Sequence, residues 1–154
     1  FINDIKSFKG ASNRLELIHN EKDFSIYRDF AHSPSKLKAT TLALKQQFPN
    51  RQLTACMELH TFSSLNKNFL DEYKDSMNIV DKPIIYYNSD TLKRKKLKDI
   101  SKAEVQNAFN RDDLVVFTNS NKLEKYLETV KTKNQNILLM SSGNFNGINF
   151  EKII

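Results

Sequence analysis

The chain is short of the residues that staple, break or anchor a polypeptide. Its 154 residues include one cysteine, three glycines and three prolines. A lone cysteine, Cys56, excludes a disulfide scaffold and a multi-cysteine zinc site. So few glycines and prolines exclude a collagen-like or low-complexity chain. No apolar run approaches the ~20 residues that cross a bilayer, and the opening FINDIKSFKG has no signal-peptide core. The phosphate loop G-x-x-x-x-G-K-S/T, the dinucleotide turn G-x-G-x-x-G and the nucleophile elbow G-x-S-x-G are also missing. Nothing here cradles a triphosphate or runs covalent catalysis by itself. The expectation is a cytoplasmic globular domain carrying half of a site.

What is present suits such a domain. Hydrophobic residues make up 39% and charged residues 27%, enough apolar surface to offset chain entropy and exclude disorder. A chain of this length buries ~70% of its unfolded surface. The net charge of +6 is concentrated in one run, Lys93, Arg94, Lys95, Lys96 and Lys98. A basic balance points to nucleic acid, an acidic membrane surface or phosphorylated small molecules. The simplest reading of the run is a solvated face. A nucleic-acid-binding module is the competing one, and it requires affinity that falls steeply with salt. The chain opens on Phe1 rather than Met, which suggests a piece of a longer protein.

Hydrophobic periodicity alternates between strand and helix. Residues 15–19 and 24–30 read as a hairpin. Pro34 then opens a helix in which Leu37, Thr41, Leu44 and Phe48 recur at helical spacing. Strands are expected at 53–59, 83–87, 114–117 and 137–140, and helices at 66–77, 101–109 and 119–131. Ser101 and Glu104 have capping-box spacing. The basic stretch 88–100 reads as loop, and the tail after Gly147 as a final turn. The pattern predicts a doubly wound α/β fold, a mostly parallel Rossmann-like sheet with helices on both faces and an N-terminal hairpin.

In such sheets ligands bind beyond the carboxyl ends of the strands. That edge collects Asp29, His32 and Ser33, then His60 to Ser64, Thr118 to Ser120, and Ser141 to Gly147. Each piece has a plainer reading. Ser33 before Pro34 is a helix cap, His32 and His60 are loop histidines without metal-ligand spacing, and Cys56 is a buried thiol in a core strand. The glycines of SSGNFNG would let backbone N–H groups approach an anion.

Four segments share a wording: GASNRLELI at 10–18, IYRDFAHSP at 26–34 followed by LKATTLAL, ELHTFSSLNKNFLDEY at 58–73, and ILLMSSGNFNGI at 137–148. In this order they resemble the C-terminal domain of bacterial Mur ligases, and the resemblance covers essentially all of residues 1–154 as one domain. Those enzymes use ATP to join amino acids or peptides to UDP-N-acetylmuramate through an acyl phosphate. DFAH and MSSGNFNGI look most like the murein peptide ligase branch, which takes L-alanyl-γ-D-glutamyl-meso-diaminopimelate in peptidoglycan recycling. The L-alanine-adding branch is the alternative. It usually carries DYGHHP and PH-x-Y-x-R, where this chain has Ser33, Leu59 and Ser64.

The resemblance implies roles residue by residue. Arg14, Asp29 and His32 would meet the nucleotide. His60, Thr61, Ser63 and Ser64, with Ser142, Gly143, Asn144 and Phe145, would line the acceptor pocket. No metal ligand and no catalytic residue is assigned to this chain. ATP and Mg2+ would be held mainly by a central ATPase domain, which lies outside this sequence, as does the UDP-binding domain. The domain would pack against that ATPase domain and be inactive alone, with neither nucleic acid nor membrane as partner.

Overall fold

The parallel strands are the most apolar stretches of the chain, and their neighbours explain why. In the computed structural model, which describes residues 14–154, a six-stranded sheet runs in the order β1-β2-β6-β3-β4-β5. Its strands are β1 (Glu16–Asn20), β2 (Phe24–Asp29), β3 (Gln52–Glu58), β4 (Lys82–Tyr86), β5 (Val115–Phe117) and β6 (Gln135–Met140). Only β1 is antiparallel, pairing with β2 as the expected hairpin; the other pairings are parallel. Every residue of β6 is buried, as are six of the seven residues of β3. A strand covered on both faces has no solvent side to make polar. Residues 10–13, the start of the first family-like segment, lie outside the described residues.

Side chains alternate between two cores. Ala55, Met57, Ile85, Leu138 and Met140 point to one face, where they meet Leu37 and Leu44 of α1 (Pro34–Gln47). Across the sheet, Ile26, Cys56, Ile84, Ile137 and Leu139 meet Leu123 and Leu127. The short helix α2 (Ser89–Arg94) follows β4, α3 (Lys102–Phe109) joins the first face through Val105 and Phe109, and α4 (Ser120–Val130) supplies the second. The crossovers β2 to β3, β3 to β4 and β4 to β5 all travel one way across the sheet, while β5 to β6 returns. Right-handed crossovers of opposite direction must lie on opposite faces, and α4 accordingly sits alone opposite α1 and α3.

Caps place the helices. Ser33 Oγ accepts from Lys36 N and Pro34 starts α1. Ser101 and Glu104 complete the capping box of α3. Cys56 lies inside the α4-side core, where burial pushes its thiol well up and keeps it protonated.

Two elements differ from the sequence pattern. Residues 66–77 do not form a helix; they hold one 3-10 turn, Leu70–Tyr73, flanked by turns. Leu70, Tyr73 and Met77 are still buried, so helical spacing reported the buried side but not the backbone path. Asn66 Oδ1 bonds Asn68 N and Asp75 adopts a left-handed φ of 62°, local bonding that competes with a helix. The basic stretch, in turn, is not all loop. Asn88 caps α2, whose Thr91 and Leu92 are buried, and Lys93 and Arg94 lie in its last turn, where the helix dipole favours cations.

One ion pair makes a testable pH signature. Asp81 Oδ2 accepts from Lys45 Nζ and from Leu53 N, both at 2.7 Å, pinning the start of β3. Burial alone would raise this carboxyl, but the Lys45 bond, the Leu53 N–H and the Lys45 charge together carry it below its ordinary value. A carboxyl lowered in the fold contributes stability above its unfolded value of ~3.9 and loses it as pH falls through the folded value. Asp81→Asn is therefore expected to lower stability at neutral pH and to flatten the acid limb below about pH 4. Urea midpoints between pH 2 and 7 measure this; parallel curves for variant and parent would refute it.

Candidate functional site

The sheet has switch points on both sides of β6. After β2 and β3 the chain turns to the α1 face, whereas after β6 it turns to the α4 face, where Phe145, Ile148 and Ile153 pack. Crevices therefore open beyond the carboxyl ends of β2, β6 and β3, and the polar residues there come from distant parts of the chain.

Between β3 and β6 the centre is Glu58. It ends a mostly apolar strand and is only 4% exposed. Its Oε1 accepts from Ser141 Oγ at 2.5 Å and from Phe145 N at 3.0 Å, and Ser141 Oγ accepts from Gly143 N at 2.7 Å. One carboxylate thus ties the loop after β6 to the end of β3. Gly143 crosses directly over this lock. A Cβ there would lie 3.0 Å from both Glu58 Oε1 and His60 Cδ2, so the close approach needs the missing side chain.

Between β2 and α1 lies a 430 Å³ cavity lined by Arg14, Leu15, Asp29, Lys36 and Thr40 among others. Asp29 is 8% exposed, and its two carboxylate oxygens accept from Ala31 N and Leu15 N, each at 2.7 Å. Burial pushes its carboxyl above the usual range, against the pull of those two N–H groups and the Arg14 charge. Its backbone oxygen also accepts from Ser141 N, joining β2 to the loop after β6. A second cavity of 370 Å³ lies under that loop, lined by Arg28, Ser141, Ser142, Gly143, Asn144 and Phe145 among others. Phe30, 44% exposed, borders both cavities.

The structure sorts the expected site residues. Arg14 and Asp29 share the first cavity, and Ser142, Gly143, Asn144 and Phe145 share the second, with His60 against Gly143. His32 lines neither. Its Nδ1 lies 3.0 Å from Phe30 O, its ring meets Phe30 edge-on, and its backbone oxygen accepts from Tyr73 Oη at 2.6 Å. Burial pushes the Tyr73 phenol up, so it remains a donor.

Thr61 and Ser64 are not brought to the cavities. Thr61 N and Oγ1 donate to Ser64 Oγ, Ser64 N donates to Thr61 Oγ1, and Ser64 Oγ donates to Thr61 O. Their hydroxyls are spent on closing their own turn, and Ser64 is buried. Ser63 is exposed on that turn. Beside it the exposed Phe62 ring lies 4.0 Å from Lys95 Nζ, so one member of the basic run packs while Lys93, Lys96 and Lys98 face solvent. Glu58, Arg28 and Phe30 escaped the sequence reading. The available signal for Glu58 was a charge at the carboxyl end of a strand that is otherwise mostly apolar.

Among the described residues no group of three or more His, Cys, Asp or Glu could hold a metal ion. No helix among them is long and apolar enough to cross a membrane.

Residues 13–143 match the family described as Mur ligase, glutamate ligase domain. The UDP-N-acetylmuramate–L-alanine ligase of Lactobacillus johnsonii is 30% identical over 152 residues, spanning 92% of this chain and 31% of that protein. In fold, a murein peptide ligase from Psychrobacter arcticus superposes with a TM-score of 0.72 at 22% identity, covering 96% of this chain and 30% of its own. The MurF ligase of Thermotoga maritima, solved with ADP, gives 0.57 at 19% identity, covering 99% and 32%. The chain thus spans about a third of the length of the relatives it matches. Taken with the doubly wound sheet and its paired carboxyl-edge cavities, these matches establish that the chain belongs to the Mur ligase family, as its C-terminal domain.

Proposed function

We propose that this domain belongs to an ATP-dependent ligase that joins an amine acceptor to UDP-N-acetylmuramate in the cytoplasm, meeting the nucleotide beside α1 and the acceptor under the loop after β6. The observation that carries this reading is the pair of cavities separated by Phe30, one holding Arg14 and Asp29, the other Ser142 to Phe145. Two reactants held on neighbouring sides of one edge can be delivered to a common reaction centre, which is the main contribution a closing domain makes.

The first cavity fits part of a nucleotide. Arg14 and Lys36 bring positive charge for phosphate, and Asp29 and Thr40 bring oxygens for ribose hydroxyls. Mg2+ and the phosphate loop are assigned to the central ATPase domain that the family resemblance implies. ATP supplies the activation of the muramyl carboxyl. This chain's residues orient the nucleotide edge, hold the acceptor and exclude water.

For the acceptor we infer the tripeptide L-alanyl-γ-D-glutamyl-meso-diaminopimelate, supported by the DFAH and MSSGNFNGI wording. A second reading, free L-alanine, is favoured by the 30% identity to an L-alanine-adding ligase. The deciding experiment follows ADP release by the full-length protein with ATP, UDP-N-acetylmuramate and one acceptor at a time. Tripeptide-dependent turnover supports the first reading and L-alanine-dependent turnover the second. Turnover with neither would reduce the proposal to a shared fold.

A further inference from the structure

Phe30 presents an apolar ring to solvent from a firmly held stretch of backbone. Its neighbours Asp29 and Ala31 are buried, yet Phe30 itself is 44% exposed and belongs to neither core. Asp29 O accepts from Ser141 N at 3.1 Å, Asp29 Oδ1 accepts from Ala31 N at 2.7 Å, and His32 O accepts from Tyr73 Oη at 2.6 Å. The ring leans edge-on against the His32 imidazole, with centroids 5.5 Å apart. A single exposed apolar residue is ordinary on a soluble protein. What sets this one apart is its place. Among the described residues it alone lines both the Arg14 cavity and the cavity under the loop after β6. The first lies against Ala39, Thr40 and Ala43 of α1, the second against Phe145 and Ile148 of the opposite face. Phe30 therefore crests the sheet edge between them.

That place has a chemical consequence. Water competes as nucleophile wherever an amine attacks an activated carboxyl, and both cavities carry polar groups able to hold it. A phenyl ring has neither donor nor acceptor, so it fills the crest without offering water a hydrogen bond. Shortening it to a methyl group would open a path between spaces of 430 and 370 Å³. Water admitted there reaches the reaction centre by the same route as the acceptor.

We propose that Phe30 is a partition that keeps water from the activated muramyl carboxyl while the acceptor amine reaches it. The inference rests on the nucleotide and acceptor placements given above and adds a positioning residue between them. With the ring in place, the amine nitrogen bonds to the acyl carbon and the bond from that carbon to the phosphate oxygen breaks. Phosphate departs, and the amine gives up a proton to solvent. Without the ring, a water oxygen bonds to the same carbon and the same bond breaks. That restores the carboxylate of UDP-N-acetylmuramate and leaves a net hydrolysis of ATP to ADP and phosphate.

The test uses the full-length protein and measures ADP and ligated product in one reaction, with ATP, UDP-N-acetylmuramate and the tripeptide or L-alanine. The parent is expected to release about one ADP per ligated product, the ratio of a coupled ligase. Phe30→Ala is expected to raise that ratio at least ~3-fold, because amine attack loses its positioning while water gains access. Phe30→Tyr keeps the ring and is expected to stay at the parent ratio. Phe30→Leu is expected to fall between them, and it carries the test if the alanine variant does not fold. A merely structural or interface role would change rates or KM values without changing this ratio. A parent ratio in the folded alanine and leucine variants overturns the partition and leaves the ligase reading intact. So does a parent that already releases several ADP per product. Absence of ligated product from the parent with either acceptor overturns both.

Discussion

Glu58→Ala is expected to lower the melting temperature of this chain by about 6–12 °C, at ~2–4 °C per kcal/mol for a domain of this size. Among the described residues the carboxylate is the sole acceptor for Ser141 Oγ and Phe145 N, and it is buried. Removing it strands a buried hydroxyl and a buried N–H, each costing about 1–3 kcal/mol, for a combined loss of ~3 kcal/mol. Glu58→Gln keeps an oxygen in place and is expected to lose about 1 kcal/mol or less. Thermal unfolding followed by circular dichroism measures both. Alanine and glutamine variants that melt together, near the parent, would mean that Oε1 does not hold the loop after β6. The same lock carries Gly143 and Ser142, so the alanine variant of the full-length protein is also expected to bind its acceptor more weakly.

The second large effect is at Asp29. The family resemblance implies that Asp29→Ala impairs ligation while leaving the domain folded. The structure shows two jobs in one carboxylate, since its oxygens cap Leu15 N and Ala31 N while the group lines the Arg14 cavity. The alanine variant is expected to cost ~2 kcal/mol of stability and to raise the KM for ATP at least ~10-fold, about 1.4 kcal/mol. The acceptor KM should change less, because Asp29 lines the Arg14 cavity and not the one under the loop after β6. The two roles separate cleanly by measurement. A lower melting temperature with an unchanged KM for ATP would make Asp29 a purely structural residue and move the nucleotide elsewhere.

Much of the site was legible as a location. Asp29, Ser142 and His60 fall at strand carboxyl ends, and open α/β sheets bind ligands there whatever their chemistry. The roles of individual side chains were less legible. Thr61 and Ser64 look like ligand groups in a polar loop, yet local backbone and hydroxyl bonds use them up first. Glu58 looks like a charged residue at a strand end, yet it is buried and holds the loop after β6. Composition lists donors and acceptors but not which of them the fold has already satisfied.

By itself the sequence determined the alternation of strand and helix, the caps at Ser33 and Ser101, and the burial of both faces of the central strands. These follow from short-range effects: side-chain periodicity, bonding between neighbouring residues and the cost of exposing apolar runs. Tertiary structure alone decided that β6 inserts between β2 and β3. That placement brings Asp29, Glu58 and Ser141 together from three separate parts of the chain and opens cavities on both sides of Phe30. It also decided that 66–77 would bury its apolar side chains without becoming a helix. Strand order is set by which long-range packing covers both faces with right-handed crossovers, a choice that no local window of residues contains.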